Sequence, residues 1–310
     1  MLSSPFSTRQ RVRLLAAAGL GLAGGLRFVS PTRAQETADE TGTPAGELAV
    51  TMRAMDFAFE TPATVPAGWV RVTLKNDGSE DHHAQFVALP EGMTADDALN
   101  FLFTQGEEAV LSTVTLVGGP AAVAPGGTSE AVILLEPGEH LIICLIPGPD
   151  GIPHIAKGMH AAFTVTAAGG DSQPPQADFS VSMNDFVFGM PEEIEAGTTI
   201  FEVVNDGGEP HEFAVSRLAP GLTPGDVLAS LSAPPASPSP EEHHHSSPEA
   251  AAPSPVTAVG GLQAIHPGGK GYAIIDLEPA TYVASCFVTS FANGGAPHVM
   301  LGMIAFFEVK

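Results

Sequence analysis

Alternating apolar and polar residues are the most regular pattern along this chain. The segments VRVTLKN (70–76) and TIFEVVN (199–205) both alternate in this way, and each runs into Asn-Asp-Gly, a turn signal. The segment EAVILLEPGEHLIIC (130–144) consists of two apolar runs separated by Glu-Pro-Gly. Because side chains alternate between the two faces of a strand, the pattern predicts half-buried β-strands joined by short turns.

A helix is predicted only where this alternation stops. In TADDALNFL (94–102), Thr94 and Asp97 have the spacing of a capping box and precede an apolar run. The second half of the chain carries a related segment, APGLTPGDVL (219–228). The sequence therefore predicts an all-β protein with one short helix in each half.

The second half of the chain repeats the first. Residues 55–83 match residues 184–212 at a constant offset of 129, which places Asp56 on Asp185 and His82 on His211. After an insertion the match resumes at an offset of 142 and places Cys144 on Cys286. Long matches without gaps indicate an internal duplication, so we predict two tandem β-sandwich domains, at 48–166 and 178–310.

The remaining segments differ in composition from these two domains. Residues 167–177 are predicted to be a linker, 35–47 a flexible linker, and the Pro- and Ser-rich stretch 232–255 a disordered insertion. Residues 1–34 have the layout of an export signal: arginines without acids, an apolar run (14–26), and small residues at Thr32 and Ala34. The alternative is a retained anchor, but the apolar run is too short to span a membrane. We expect a periplasmic or secreted protein with no stable span after cleavage.

The charge of the chain is strongly negative. It has 12 basic and 35 acidic residues and a formal net charge of −23. Cleavage after Ala34 would remove five arginines and no acid, which brings the charge to −28. Such a surface disfavours nucleic acid and favours a partner with a basic patch, although the charge also serves solubility alone.

The same series of metal-binding side chains occurs in both repeats. Each series contains a histidine, a cysteine, a second histidine and a methionine: His82, Cys144, His154 and Met159, then His211, Cys286, His298 and Met303. A thiolate with two imidazoles and a weak axial thioether is the ligand set of blue-copper electron-transfer sites. His83 is an alternative to His82 as the first imidazole.

This series resembles that of the cupredoxin family of plastocyanin and azurin, over residues 48–166 and 177–309. The resemblance implies Greek-key sandwiches, a type 1 copper site cycling between Cu⁺ and Cu²⁺, and single-electron transfer with a redox partner. It also implies that both histidines and the cysteine ligate copper in each domain, with Met159 and Met303 as axial ligands. Nine residues separate cysteine from second histidine in the first repeat and eleven in the second, against a few in small cupredoxins. We expect these loops to bulge outward while their ends converge.

Several alternatives stay open at the level of sequence. The protein could be a copper carrier or storage protein, a two-domain copper enzyme of the nitrite-reductase type, or an interaction scaffold without metal. The enzyme would need a second, interdomain site, for which His140 and His266 are the candidates. The His-Cys-His core typical of multicopper oxidases is lacking, so oxidase activity is not expected, and an electron carrier or copper-binding protein is favoured over an enzyme. Two further alternatives are a disulfide between the two cysteines and weak metal binding by EEHHHSSPE (241–249).

Overall fold

The computed structural model describes residues 48–167, 172–232 and 255–310. The predicted export signal, the linker 35–47, part of the linker 167–177 and residues 233–254 of the predicted insertion lie outside these ranges. The described parts of both repeats belong to one compact unit. No helix in them is long and apolar enough to cross a membrane.

The first repeat contains nine strands, two α-helices and one turn of 3₁₀-helix among its described residues. The strands are β1 (Leu48–Met55), β2 (Ala58–Glu60), β3 (Thr64–Pro66), β4 (Gly68–Asn76), β5 (Gln85–Ala88), β6 (Thr115–Gly118), β7 (Thr128–Leu135), β8 (Gly138–Ile143) and β9 (His160–Thr166). The helices are α1 (Ala95–Gln105) and α2 (Glu107–Leu111), and the 3₁₀ turn is His154–Lys157.

The second repeat has the same elements in the same order, apart from α2 and one added hairpin. Its strands are β10 (Phe179–Asn184), β11 (Val187–Gly189), β12 (Glu193–Ile194), β13 (Gly197–Asn205), β14 (His211–Leu218), β15 (Val256–Ile265), β16 (Lys270–Leu277), β17 (Ala280–Ser285), β18 (Thr289–Ser290), β19 (Ala296–Pro297) and β20 (Ile304–Val309). Its helix is α3 (Pro224–Ser232), and its 3₁₀ turn is His298–Leu301.

Two large sheets form the fold, and both repeats contribute strands to each. The eight-stranded sheet has the order β11-β10-β13-β16-β7-β4-β1-β2, and the ten-stranded sheet has the order β12-β20-β17-β14-β15-β6-β5-β8-β9-β3. The all-β sandwich prediction is confirmed. The repeats are joined through antiparallel pairing of β16 with β7 and of Ile265 in β15 with Val117 in β6. Alternation predicts which face of a strand is buried but not its neighbour, so this continuity was not predicted.

The core lies where the alternating strands place their apolar residues. In β4, Val70, Val72 and Leu74 are buried, whereas the intervening Arg71 and Thr73 are only partly covered. The equivalent strand β13 buries its own apolar residues in the same alternating way. Burial of one such side chain stabilises the fold by about 1.5–3 kcal/mol.

The helix predicted from the capping box is confirmed. Thr94 Oγ1 accepts a hydrogen bond from Asp97 N at 3.1 Å, and Asp97 Oδ2 accepts one from Thr94 N at 3.0 Å. Thr223 and Asp226 make the same reciprocal pair at the start of α3. The short helix α2 was not predicted; it follows Gly106, which ends α1 with a φ of 90°.

Candidate metal centre

Three of the predicted ligands converge in each repeat. In the first, His82 Nδ1 and His154 Nδ1 lie 3.1 Å apart, and Cys144 Sγ lies 3.5 Å from His154 Nδ1. These three side chains are completely buried. They form one of the two groups of three or more potential metal ligands found among the described residues.

The second repeat forms the other group, with nearly the same geometry. His211 Nδ1 and His298 Nδ1 are 2.9 Å apart. Cys286 Sγ lies 3.3 Å from His298 Nδ1 and 4.0 Å from His211 Nδ1. Metal bonds of about 2.0–2.3 Å, typical of imidazole and thiolate, allow two ligand atoms of one ion to lie up to about 4.6 Å apart. The second cluster therefore fits a single metal ion, and the ligand atoms of the first cluster all lie within 4.8 Å of one another.

Backbone hydrogen bonds close the long loop of the first cluster behind its ligands. Ile155 N donates to Cys144 O at 2.8 Å, Met159 N donates to His154 O at 3.0 Å, and Cys144 N donates to Met159 O at 3.2 Å. The residues between Cys144 and His154 are tied together by a bridge between Pro147 and Pro153. As expected, the loop bulges outward and its ends converge.

The longer loop of the second cluster ends in the same way. Val299 N donates to Cys286 O at 2.7 Å, Met303 N to His298 O at 3.0 Å, and Cys286 N to Met303 O at 3.2 Å. The hairpin β18–β19 lies between these ends. The two additional residues are thus accommodated away from the ligands.

Both predicted axial methionines lie next to these clusters in the chain and in the fold. Met159 and Met303 are completely buried, and each is bonded through its backbone to the cysteine and the second histidine of its own cluster. Before each methionine, a glycine with a φ near 100° ends the 3₁₀ turn and lets the chain reverse. Ligation by the thioether sulfur stays a prediction.

Each histidine of the first cluster is bonded to a carboxylate through its outer nitrogen. His82 Nε2 lies 2.9 Å from Asp56 Oδ1, and His154 Nε2 lies 2.9 Å from Glu80 Oε2. A carboxylate at Nε2 fixes the proton on that nitrogen. Nδ1 is therefore left unprotonated, facing the cluster, as metal ligation requires.

The second cluster repeats this arrangement. His211 Nε2 lies 2.7 Å from Asp185 Oδ1, and His298 Nε2 lies 3.1 Å from Glu209 Oε2. These four carboxylates were not predicted as part of the site. The repeat does contain the signal, since it places Asp56 on Asp185 and a glutamate two residues before the first histidine in both copies.

An aromatic ring packs against the second histidine of each cluster. Phe57, next to Asp56, has its ring centre 5.0 Å from that of His154. Phe186, next to Asp185, lies 4.8 Å from His298. Each Asp-Phe pair therefore contacts both histidines of its cluster, the aspartate by a hydrogen bond and the phenylalanine by packing.

Burial determines the charge of the clusters without metal. It lowers the pKa of His82 and of His211, so these imidazoles are neutral at pH 7. It also raises the pKa of the Cys144 thiol to about 11 and that of Cys286 further. By contrast, the hydrogen bond from the Ser79 hydroxyl lowers the pKa of Asp56 to about 2. Without metal, the first site thus combines a protonated thiol at Cys144 with an ionised carboxylate at Asp56, which is bonded to the outer nitrogen of His82.

The residues that follow the first histidines support the cysteine ends of the loops. His83 Nε2 accepts a hydrogen bond from Leu145 N at 2.8 Å, and Glu212 Oε1 accepts one from Phe287 N at 2.7 Å. His83 is therefore turned away from the cluster, and His82 occupies it. Burial lowers the pKa of His83 to about 3 and raises that of Glu212 to about 7.

The alternatives based on other residues are not supported by the described part of the structure. His140 Nδ1 lies 3.2 Å from Gly138 O and His266 Nδ1 lies 3.0 Å from Leu116 O, and neither histidine belongs to a metal-ligand group. Both cysteines are free, so the disulfide alternative is wrong. The tract EEHHHSSPE lies outside the described residues.

No protein-family model matches the chain, and no curated protein is similar to it in sequence. Among solved structures, the dithionite-reduced auracyanin of Roseiflexus castenholzii is 22% identical, over 39% of this chain and 98% of its own, with a TM-score of 0.27. Auracyanin A of Chloroflexus aurantiacus, described as a "blue" copper protein, is 20% identical over 39% of this chain and 100% of its own, with a TM-score of 0.28. The copper nitrite reductase of Nitrosomonas europaea is 14% identical over 85% of this chain and 94% of its own, with a TM-score of 0.24.

The auracyanins cover about the length of one repeat, and the nitrite reductase covers both. All three identities are below 25% and all three TM-scores are below 0.5, so the candidate sites are argued from the chain's own two-sheet architecture and its two His-Cys-His clusters.

Proposed function

We propose that this protein is an exported copper protein that transfers single electrons through two type 1-like sites. The observation that carries the proposal is a buried group of two imidazoles and one cysteine, built twice with the same backbone bonds. Soft sulfur favours Cu⁺ and imidazole accepts Cu²⁺, so this set suits an ion that changes charge in place.

The chain supports such a site through rigidity. All three ligand side chains of the first site are fully buried, and the carboxylates of Asp56 and Glu80 hold the two imidazoles in orientation. Backbone N–H groups of His83 and Ile146 are directed at the Cys144 sulfur, which stabilises a thiolate. When bound, copper supplies the one-electron couple; the protein supplies a ligand set that needs little rearrangement.

Electrons would enter or leave beside the cysteines. The imidazole rings have no exposed surface, whereas Leu145 is 37% and Phe287 56% exposed, directly after Cys144 and Cys286. These apolar residues are the shortest chain-linked routes from each sulfur to the surface. We infer that a redox partner contacts the protein there, and that the negative charge of the chain favours a partner with a basic patch.

We also propose that the mature protein lies outside the cytoplasm, since residues 1–34 have the layout of an export signal. Mass spectrometry of the protein from its native host should find a start near Gln35. Recovery of the full-length chain from the cytoplasm would contradict this location.

Visible spectroscopy of copper-loaded protein tests the function. We expect an intense thiolate-to-copper band that ascorbate bleaches and reoxidation restores. The Cys144→Ser variant should lose the part of this absorption that comes from the first site, and Cys286→Ser the part that comes from the second. Tight binding of Cu⁺ without a visible Cu²⁺ band would contradict electron transfer and indicate a copper carrier. A protein that binds copper in neither oxidation state would be an interaction scaffold.

A further inference from the structure

A large cavity lies where the two repeats meet. Its volume is about 690 Å³, within the range of small-molecule sites in proteins. The first repeat contributes apolar side chains from α1, α2, β5, β6 and β8, among them Leu102 and Leu141, and the second contributes Ala214 and Val256. Most of the wall is thus aliphatic.

The cavity borders both metal-ligand clusters. From the first repeat it is lined by His83, Leu145 and Ile155, the residues that directly follow His82, Cys144 and His154. From the second it is lined by Glu212 and Phe287, which directly follow His211 and Cys286. A molecule in the cavity would therefore be one residue away from each site.

The polar groups of the wall restrict the chemistry of an occupant. Among the described residues, no lysine or arginine lines the cavity, whereas Asp81, Glu107 and Glu212 do, so an anionic occupant is disfavoured. His83 Nε2 accepts a hydrogen bond from Leu145 N, which leaves the proton on Nδ1. Among the residues that the structure describes, none accepts a hydrogen bond from this N–H. A neutral molecule with an acceptor oxygen would satisfy it.

We propose that the cavity binds a neutral, flat, mostly apolar ring compound with carbonyl oxygens, of the quinone class, with one carbonyl accepting a hydrogen bond from His83 Nδ1. The choice of a redox-active ring rests on the proposed electron-transfer function, because the cavity lies between two one-electron sites. The binding itself depends only on the shape and the polarity of the wall.

Equilibrium dialysis of the copper-free protein with menadione tests the proposal. We expect saturable binding of one molecule per chain, and no comparable binding of laurate. The Leu102→Trp variant fills the cavity from α1 and should weaken menadione binding at least tenfold. Phe103→Trp is the matched control, since Phe103 is the next residue of the same helix but is 57% exposed and does not line the cavity.

The His83→Phe variant separates the hydrogen bond from the apolar contacts. It should weaken menadione binding by about two- to tenfold, the contribution of one hydrogen bond. It should leave the binding of 2-methylnaphthalene, which has no carbonyl, unchanged. Circular dichroism confirms that each variant is folded.

Absence of menadione binding to the folded wild type, equal weakening by Leu102→Trp and Phe103→Trp, or equal binding of laurate would each overturn the proposal. Because binding is measured without copper, its failure leaves the visible-band test of the copper sites unaffected. Conversely, menadione binding by a protein that takes up no copper would refute the proposed function and retain the cavity as a ligand site.

Discussion

The carboxylate at each outer imidazole nitrogen should control copper affinity, and Asp185 gives the sharpest test. Its Oδ1 lies 2.7 Å from His211 Nε2, and its carboxylate also accepts hydrogen bonds from Gly208 N and Glu209 N. Burial alone would raise the pKa of Asp185, but these hydrogen bonds, above all the one from Gly208 N, lower it overall. Asp185 is therefore ionised at pH 7.

The Asp185→Asn substitution retains one acceptor oxygen and replaces the other with an amide donor. Because Asp185 Oδ1 accepts hydrogen bonds from His211 Nε2, Gly208 N and Glu209 N, the amide oxygen is expected at that position, and His211 then keeps a neutral acceptor in place of the carboxylate. Mutation of such an outer partner typically costs 10- to 100-fold in metal affinity. We expect a decrease of this size for Cu²⁺, about 1.4–2.7 kcal/mol. The stability of the metal-free protein should fall by less than about 2 kcal/mol, because the backbone bonds can persist.

Competition for Cu²⁺ with a chelator of known affinity measures the effect. The parent for both variants is Cys144→Ser, so that only the second site contributes to the visible band. Asp178→Asn is the matched control, because Asp178 accepts a hydrogen bond from Ile200 N at 2.8 Å in the same repeat but has no contact with a cluster. An Asp185→Asn affinity within twofold of the parent, or an equal loss in Asp178→Asn, would refute the role of the carboxylate.

Three further predictions concern the ligands and the core. Met159→Leu should keep the visible band of the first site and raise the reduction potential of that site, because an apolar axial position favours Cu⁺. Voltammetry measures the potential, and the core variant Met52→Leu is the control. Loss of the band in Met159→Leu would refute an axial role. Burial raises the pKa of Cys144 to about 11, so the thiol is protonated at pH 7 and copper uptake at the first site should release its proton. The copper affinity of this site should then rise about tenfold per pH unit between pH 7 and 9. Calorimetry in buffers of different ionisation enthalpy, with Cys286→Ser as parent, counts the released protons. Copper binding without proton release would contradict the burial argument. Phe201→Ala should cost about 3–5 kcal/mol in urea unfolding, whereas Phe103→Ala on the exposed face of α1 should change stability by less than about 0.5 kcal/mol; equal effects would contradict the assigned core.

Much of the fold was predictable because the duplication tests each local pattern twice. The capping pair Thr94–Asp97 recurs as Thr223–Asp226, so the short helices could be predicted in both repeats. The convergence of His82, Cys144 and His154 was likewise predictable, since ligands separated in sequence keep the same order in both copies.

Other features depend on contacts that residue patterns do not encode. Strand alternation specifies a buried face but no partner, so the pairing of β16 with β7 could not be predicted. The carboxylates Asp56 and Glu80 come from different turns, and only the folded chain shows that both are bonded to histidines. The cavity depends on how the two repeats pack, which their separate sequences do not specify.

The number of copper ions per chain is the most direct test of two His-Cys-His sites. Purified protein should be loaded with copper, freed of excess metal and analysed by mass spectrometry of the elements together with protein quantification. We predict two copper ions per wild-type chain and one in each of Cys144→Ser and Cys286→Ser. A wild-type chain that retains no copper, or cysteine variants that retain as much as the wild type, would contradict the account.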